Sequence, residues 1–284
     1  MKHPALHDAA SASSDASQRW FLSLIRAEYG LLLAISIGYL LLPPTGPTQI
    51  MMMLLVIGAL GTAVFRSWKK PDEDWYQFRA LAESVKTLSW RFSMRAAPFE
   101  DDAVARAEFR NHLRELLKVN SALGPKFQHY SAEADQITGE MIAARSSSLE
   151  SRRSTYERDR ITDQRVWYTK KAALNKITGR RWQIVLASIY GVILIVLGIR
   201  IAFPGIQTLS PDPLLVAASA IIGWMQVKKY NDLAAAYLLT AQEIGIAATE
   251  VAEIKSEESW SAFVIACEQV FSREHTQWVA RRAS

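Results

Sequence analysis

The sequence predicts an all-α integral membrane protein with two transmembrane helical hairpins, four spans in all, continuous with a cytoplasmic helical bundle. Three observations carry that prediction. Four stretches, residues 29–42, 49–65, 182–199 and 213–227, contain no charged side chain. They are joined in pairs by connectors that lack Lys and Arg, while basic residues crowd the opposite ends. Strand-like alternation is missing along the chain, whereas apolar residues recur at the three- and four-residue steps of a helix.

Residues 1–17 are rich in Ala, Ser and His and lack a charged-then-apolar leader pattern, so a disordered tail is expected there. The first apolar pair is joined by a connector containing Pro43, Pro44, Gly46 and Pro47, the second by one containing Pro204, Gly205, Pro211 and Pro213. Proline and glycine end helices and favour turns. Each apolar stretch is about 21–27 Å long at helical rise, against about 30 Å of hydrocarbon. A buried core helix is the alternative for any one of them taken singly; the paired arrangement favours spans.

The charges orient the hairpins. Arg19 and Arg26, then Arg66, Lys69 and Lys70, then Lys170, Lys171, Lys176, Arg180 and Arg181, then Lys228 and Lys229 all flank the ends away from the connectors. Basic flanks stay cytoplasmic, so both hairpins point the same way, both termini are cytoplasmic, and the bacterial inner membrane is the expected location. Trp20, Trp68, Trp182 and Trp224 lie near those inner ends, where amphipathic rings suit a headgroup layer.

Between the hairpins, residues 66–181 form a cytoplasmic insert. Trp75, Phe78, Ala82, Val85 and Phe92 make one helical face; Phe109, Leu113, Leu116 and Leu117 make another. Pro98-Phe99, followed by Glu100, Asp101 and Asp102, reads as a break and an acidic helix start, and Gly124-Pro125 as a second break. Residues 150–181 carry ten basic against four acidic side chains and no proline, the pattern of a long positively charged helix that could serve as an anionic-lipid surface. Beyond the fourth span, residues 228–245 and 249–282 read as two more helices. The second has a stripe of Trp260, Phe263, Val264, Cys267, Val270, Phe271 and Trp278 suited to packing on the insert. The single cysteine, Cys267, falls on that apolar face and reads as packing.

The halves repeat each other. Gln18-Arg19-Trp20-Phe21 precedes the first hairpin, and Gln164-Arg165 with Trp167-Tyr168 the second. Lys69-Lys70 and Lys228-Lys229 follow them, and Ala82-Glu83 corresponds to Gln242-Glu243 with a one-residue slip. A tandem duplication follows, with a first half at 18–148 (hairpin 29–65) and a second at 149–284 (hairpin 182–227).

Trp75-Tyr76, the run from Arg79 to Ser84, Lys86, Trp90-Arg91-Phe92 and Pro98-Phe99 resemble the SLATT family in the first half. In the second half, Arg160-Ile161, Gln164, Trp167-Tyr168, Lys170-Lys171, Asn175, Ala236-Tyr237, the run from Thr240 to Glu243, Glu268, the run from Phe271 to Thr276 and Trp278 do the same. That resemblance implies a two-transmembrane effector in tandem form. It further implies a pore-forming or membrane-disrupting role in bacterial anti-phage immunity, triggered by a nucleotide second messenger made by a partner enzyme or by a cytoplasmic signalling protein.

No enzyme is expected. The chain has neither a glycine-rich phosphate loop nor a metal-ligand cluster, no cofactor is called for, and no nucleic acid is an expected partner. Glu83 and Glu243 are matched acids beyond the second and fourth spans, suited to ion pairs with Arg79, Arg91 or Arg273 or, alternatively, to gating. His275 stands beside Glu274 in structural pairing and not in a hydrolytic triad. With no charge at mid-membrane, any pore would be lined by weakly polar groups: Ser36, Thr62, Ser188, Ser219 and Gln226. Gly38, Gly191 and Gly223, each four residues from another small residue, permit close helix packing within one chain or between copies in a homo-oligomer. Two other readings stand beside the pore: a non-enzymatic membrane scaffold binding a cytoplasmic partner, and a small-ion channel or transporter.

Overall fold

Punctuation residues set the helix boundaries. The computed structural model describes residues 1–127, 135–205 and 209–283, with side chains as far as Ser272. Helix α1 (Ala5–Leu41) stops before Pro43-Pro44, and α2 (Gly46–Lys69) opens with Pro47 in its first turn. Then come α3 (Pro71–Ser93), α4 (Ala105–Val119), α5 (Gly139–Arg145) and α6 (Leu149–Tyr156). Thr138 and Ser148 cap α5 and α6, each side chain accepting a backbone N–H at 3.3 Å. A π-helical turn, Glu157–Thr162, joins α6 to α7 (Asp163–Ala202), followed by α8 (Asp212–Lys228), α9 (Tyr230–Glu250) and α10 (Glu257–Ala283). No strand occurs among the described residues.

One device appears twice. The backbone of Lys70 after α2 and of Lys229 after α8 is left-handed, with φ 46° at both, and each N–H closes onto a carbonyl of the last turn, Arg66 or Met225. A new helix starts at once in both places, so the paired lysines of the sequence repeat are also a paired backbone break.

The chain divides into two units. The first comprises Met1–Gln18, Asp72–Ala172 and Ala235–Ser284. Its core is aromatic: Phe78, Phe92, Phe99 and Phe109 are fully buried, and the Phe92 ring lies 5.0 Å from Phe109 and 5.9 Å from Phe99. Phe78, Ala82, Val85 and Phe92 of the expected α3 face are buried; Trp75 is only partly so. On α4, Phe109 and Leu113 are inside and Leu117 is exposed.

Two expectations are corrected in this unit. Residues 5–17 are not a disordered tail. They form the start of α1, and Leu6, Ala9, Ala10, Ser13, Ser14 and Ser17 are buried. Small side chains at helical spacing resemble low complexity in a sequence, yet they let a helix approach its neighbours closely. The Leu6 N–H donates to Gln136 (3.2 Å) and the Ser14 hydroxyl to the Trp75 carbonyl (3.1 Å). Nor is 150–181 one uniform basic surface: the π-helical turn interrupts it, and Arg152 and Arg160 are each only 1% exposed.

The second unit, Arg19–Pro71 with Ala173–Ala234, is built oppositely. Few of its apolar side chains are buried, among them Phe21, Ile25, Met52 and Ile193, whereas Leu54, Ile57, Leu60, Ile184, Leu194 and Ile195 are all more than half exposed. Among the described residues, three helical runs, Ala5–Leu41, Gly46–Ser93 and Leu149–Ala202, are long and apolar enough to cross a membrane, and 11% of each apolar window is buried. Helix α8, at 17 residues, is shorter than these.

Candidate functional site

Three buried arginines, one each from α5, α6 and the π-helical turn, organise the first unit. Arg145 donates to the Phe92 carbonyl (2.8 Å) and pairs with Asp102 (2.6 Å). Arg152 donates to the Met94 carbonyl (2.9 Å) and pairs with Glu257. The Trp260 indole donates to that same Met94 carbonyl at 3.1 Å. The Met94 carbonyl, just past the end of α3, is thereby satisfied by side chains from elsewhere in the chain, and the Phe92 carbonyl, which accepts from the Arg95 N–H at 3.3 Å, gains a second donor.

Arg160 goes deepest. Its Nε and Nη2 donate to the two oxygens of Glu268 at 2.9 and 2.7 Å, a bidentate pair in which both side chains are 1% exposed. Glu268 also accepts from the Tyr156 hydroxyl (2.9 Å) and from Thr87 Oγ1 (3.0 Å). Four donors thus meet one carboxylate, near its full acceptor capacity. Phe271 lies 4.3 Å beneath the guanidinium, and the Tyr156 ring stands edge-on to Trp90 and Trp260. Burial works against the charge on Arg160, but Glu268's charge and hydrogen bonds outweigh it and raise the pKa above the ordinary value. Burial is also what pushes the neighbouring Cys267 thiol up to about 12, with Glu268 adding to it, so this cysteine stays protonated packing material.

Beside the pair lies a cavity of about 410 Å³ lined by Met1, His3, Lys86, Trp90, Arg158, Asp159, Arg160, Asp163 and Gln164. Burial lowers the His3 pKa to about 3, with the charges of His7, Lys86 and Arg160 acting the same way. Lys86 is lowered too, first by burial, although Glu83 at 3.9 Å partly restores it.

The residues singled out in the sequence fall in three groups. In the first unit, Glu83 meets Lys86, and the Arg91 guanidinium donates to the Ala97 carbonyl, 2.7 Å from Nε. Arg79 and Glu243 are also engaged, and both are half-buried. The side chains of Arg273, Glu274 and His275 lie outside the described residues. In the second unit, Gly38 and Gly223 are spent within the chain: a Cβ would strike Met52 at the first and the Tyr29 hydroxyl at the second. Gly191 has nothing within 4 Å of such a Cβ. Ser188, Ser219 and Gln226 are exposed, Ser36 is half-buried, and half-buried Thr62 donates to its own helix at Ala59.

What sequence reasoning missed is the joining of Arg160 to Glu268 across 108 residues. Both were visible only as members of a family-like pattern, because no local period links two side chains so far apart. An arginine on an otherwise apolar helix face opposite a lone glutamate on another was the available signal.

Two family models match the chain in succession: the SMODS and SLOG-associating 2TM effector domain 3 over residues 4–153, and the SMODS and SLOG-associating 2TM effector domain 1 over residues 156–278. No curated protein and no solved structure matches. The first model covers more than half of the chain and the second most of the remainder, so the chain belongs to the SLATT family and carries two of its effector domains in tandem.

Proposed function

We propose that the protein is a defence effector of the bacterial inner membrane, with four spans and cytoplasmic termini, that associates with copies of itself and permeabilises the bilayer when triggered. The observation that carries this reading is the contrast between the units. One buries its aromatics around paired charges, while the other leaves long aliphatic faces uncovered, which is stable in lipid and unstable in water. Within the second unit the basic-aromatic ends of α1 and α8 meet, with Arg26 5.3 Å above the Trp224 ring and Tyr29 against Gly223, which supports hairpins of one orientation. The Glu28–Arg66 pair at 3.0 Å ties α1 to α2 at the same end.

Exposed Ser188, Ser219 and Gln226 on those apolar faces favour self-association, because polar groups facing lipid gain by meeting one another. A nucleotide second messenger or a cytoplasmic signalling protein is the proposed trigger, in keeping with the family's association with nucleotide-signalling modules. The test is uptake of a membrane-impermeant dye by bacteria expressing the protein during phage challenge. Uptake that needs the intact chain supports the reading. An intact inner membrane while the protein still confers protection contradicts it and favours a scaffold.

A further inference from the structure

Three residues lining the cavity beside Arg160 each carry a buried polar atom with no hydrogen-bond partner in the protein: His3 Nδ1, Trp90 Nε1 and Arg160 Nη1. Arg160 is 1% exposed and Trp90 2%. A buried donor left unpaired costs about 1–3 kcal/mol, more when charged, and such groups are rare in folded proteins. To find several around one cavity is a built arrangement.

The chemistry of the lining decides what fits. The carboxylates are mostly occupied: Asp159 is held by Arg158 at 2.7 and 3.0 Å and Glu268 has four donors, while Asp163 accepts a single hydrogen bond, from Gln164 at 3.3 Å. The unspent capacity is on the donor side, in the third guanidinium nitrogen, the indole N–H and the ammonium of Lys86, which Glu83 holds only at 3.9 Å. Such a set calls for a compact, multiply charged acceptor, and a cavity of about 410 Å³ is within the usual range for a small-molecule site.

We infer that this cavity binds the phosphate group of a small molecule, with Arg160 Nη1, Trp90 Nε1 and Lys86 Nζ as its donors. Arg160 is held in place for this by the two-pronged grip of Glu268, which leaves one nitrogen free. His3, which burial keeps neutral, closes the remaining wall and lies 4.5 Å from the His7 ring and 6.5 Å from Trp90. The inference does not need the pore reading, since binding is measured apart from leakage.

The experiment is calorimetric titration of the full chain in zwitterionic nanodiscs with inorganic phosphate, pyrophosphate and adenosine monophosphate. A parallel arm uses nanodiscs containing phosphatidylglycerol. Saturable binding is expected for at least one soluble phosphate, weakened roughly tenfold or more by Trp90→Phe, which keeps the ring and removes the N–H, and by Lys86→Gln. If a lipid headgroup also fills the site, soluble phosphates bind more weakly in the phosphatidylglycerol discs than in the zwitterionic ones, and both variants abolish that difference. Lys86→Gln sits at a half-buried position, so it reports even if the tryptophan variant fails to fold. Absence of saturable binding in both arms, or binding that both folded variants retain unchanged, overturns the assignment.

Discussion

At the scale of single residues, the Arg160–Glu268 pair is the most consequential feature of the first unit. Removing one partner of a buried pair leaves the other uncompensated, at about 3–5 kcal/mol. Glu268→Gln is therefore expected to lower the unfolding free energy of the first unit, read from urea titration, by that much, while Arg160→Met with Glu268→Leu recovers most of the loss. If Glu268→Gln unfolds like the parent, the buried pair does not exist. Phe271→Ala, which removes the ring beneath Arg160, is expected to cost about 3–5 kcal/mol as well. His3 supplies a pH dependence with a definite sign. Its folded pKa, about 3, lies below the ordinary 6.5, so the fold favours the neutral ring. That contribution is complete above the ordinary histidine range and is lost as pH falls from there towards 3. The hydrogen-exchange protection factors of the first turns of α1, corrected for the slowing of intrinsic exchange in acid, should fall from roughly pH 7 to pH 5 in the parent and not in His3→Phe; equal profiles would contradict the burial. The stripe that carries Phe271 was legible from the sequence; the pair and the buried histidine were not, because His3 reads as part of a tail and Arg160 as one charge among ten.

At the scale of elements, legibility was much better, because punctuation and periodicity are local. The proline connectors end α1 and open α2, and the apolar face of α3 is buried where its spacing placed it. What failed was the reading of small residues. Ala9, Ala10, Ser13 and Ser14 look like filler until the helix they belong to is packed. The two lysine breaks, by contrast, were visible as a repeat but not as a conformation. A non-glycine residue in the left-handed region is strained, so Lys229→Gly should stabilise the second unit by about 0.5–1 kcal/mol in a thermal scan. A loss of stability would show that the lysine side chain matters more than its backbone. Glycine packing separates in the same way. Gly38→Leu should loosen the first hairpin and Gly223→Leu the contact of α8 with α1, since Met52 and Tyr29 already fill those notches. Gly191→Leu leaves the chain's own packing intact and is the cleaner probe of contact between copies.

At the scale of the whole molecule, the sequence repeat and the two matched domains agree in order along the chain. The spatial units cut across that order: each draws residues from both halves of the sequence, although the aromatic core around Phe78, Phe92, Phe99 and Phe109 is assembled within the first half. Sequence repeats report ancestry, whereas burial reports which medium each surface meets, and here the medium separates an aromatic core from bare aliphatic helices. On the proposed function, those bare faces meet lipid and one another and make the bilayer leak. The direct measurement is dye release from liposomes reconstituted with the full chain over a range of protein-to-lipid ratios, with soluble phosphates present. The account expects release that rises more steeply than the protein density and is flattened by Gly191→Leu. No release at any density, or release strictly proportional to density and untouched by that substitution, would contradict it.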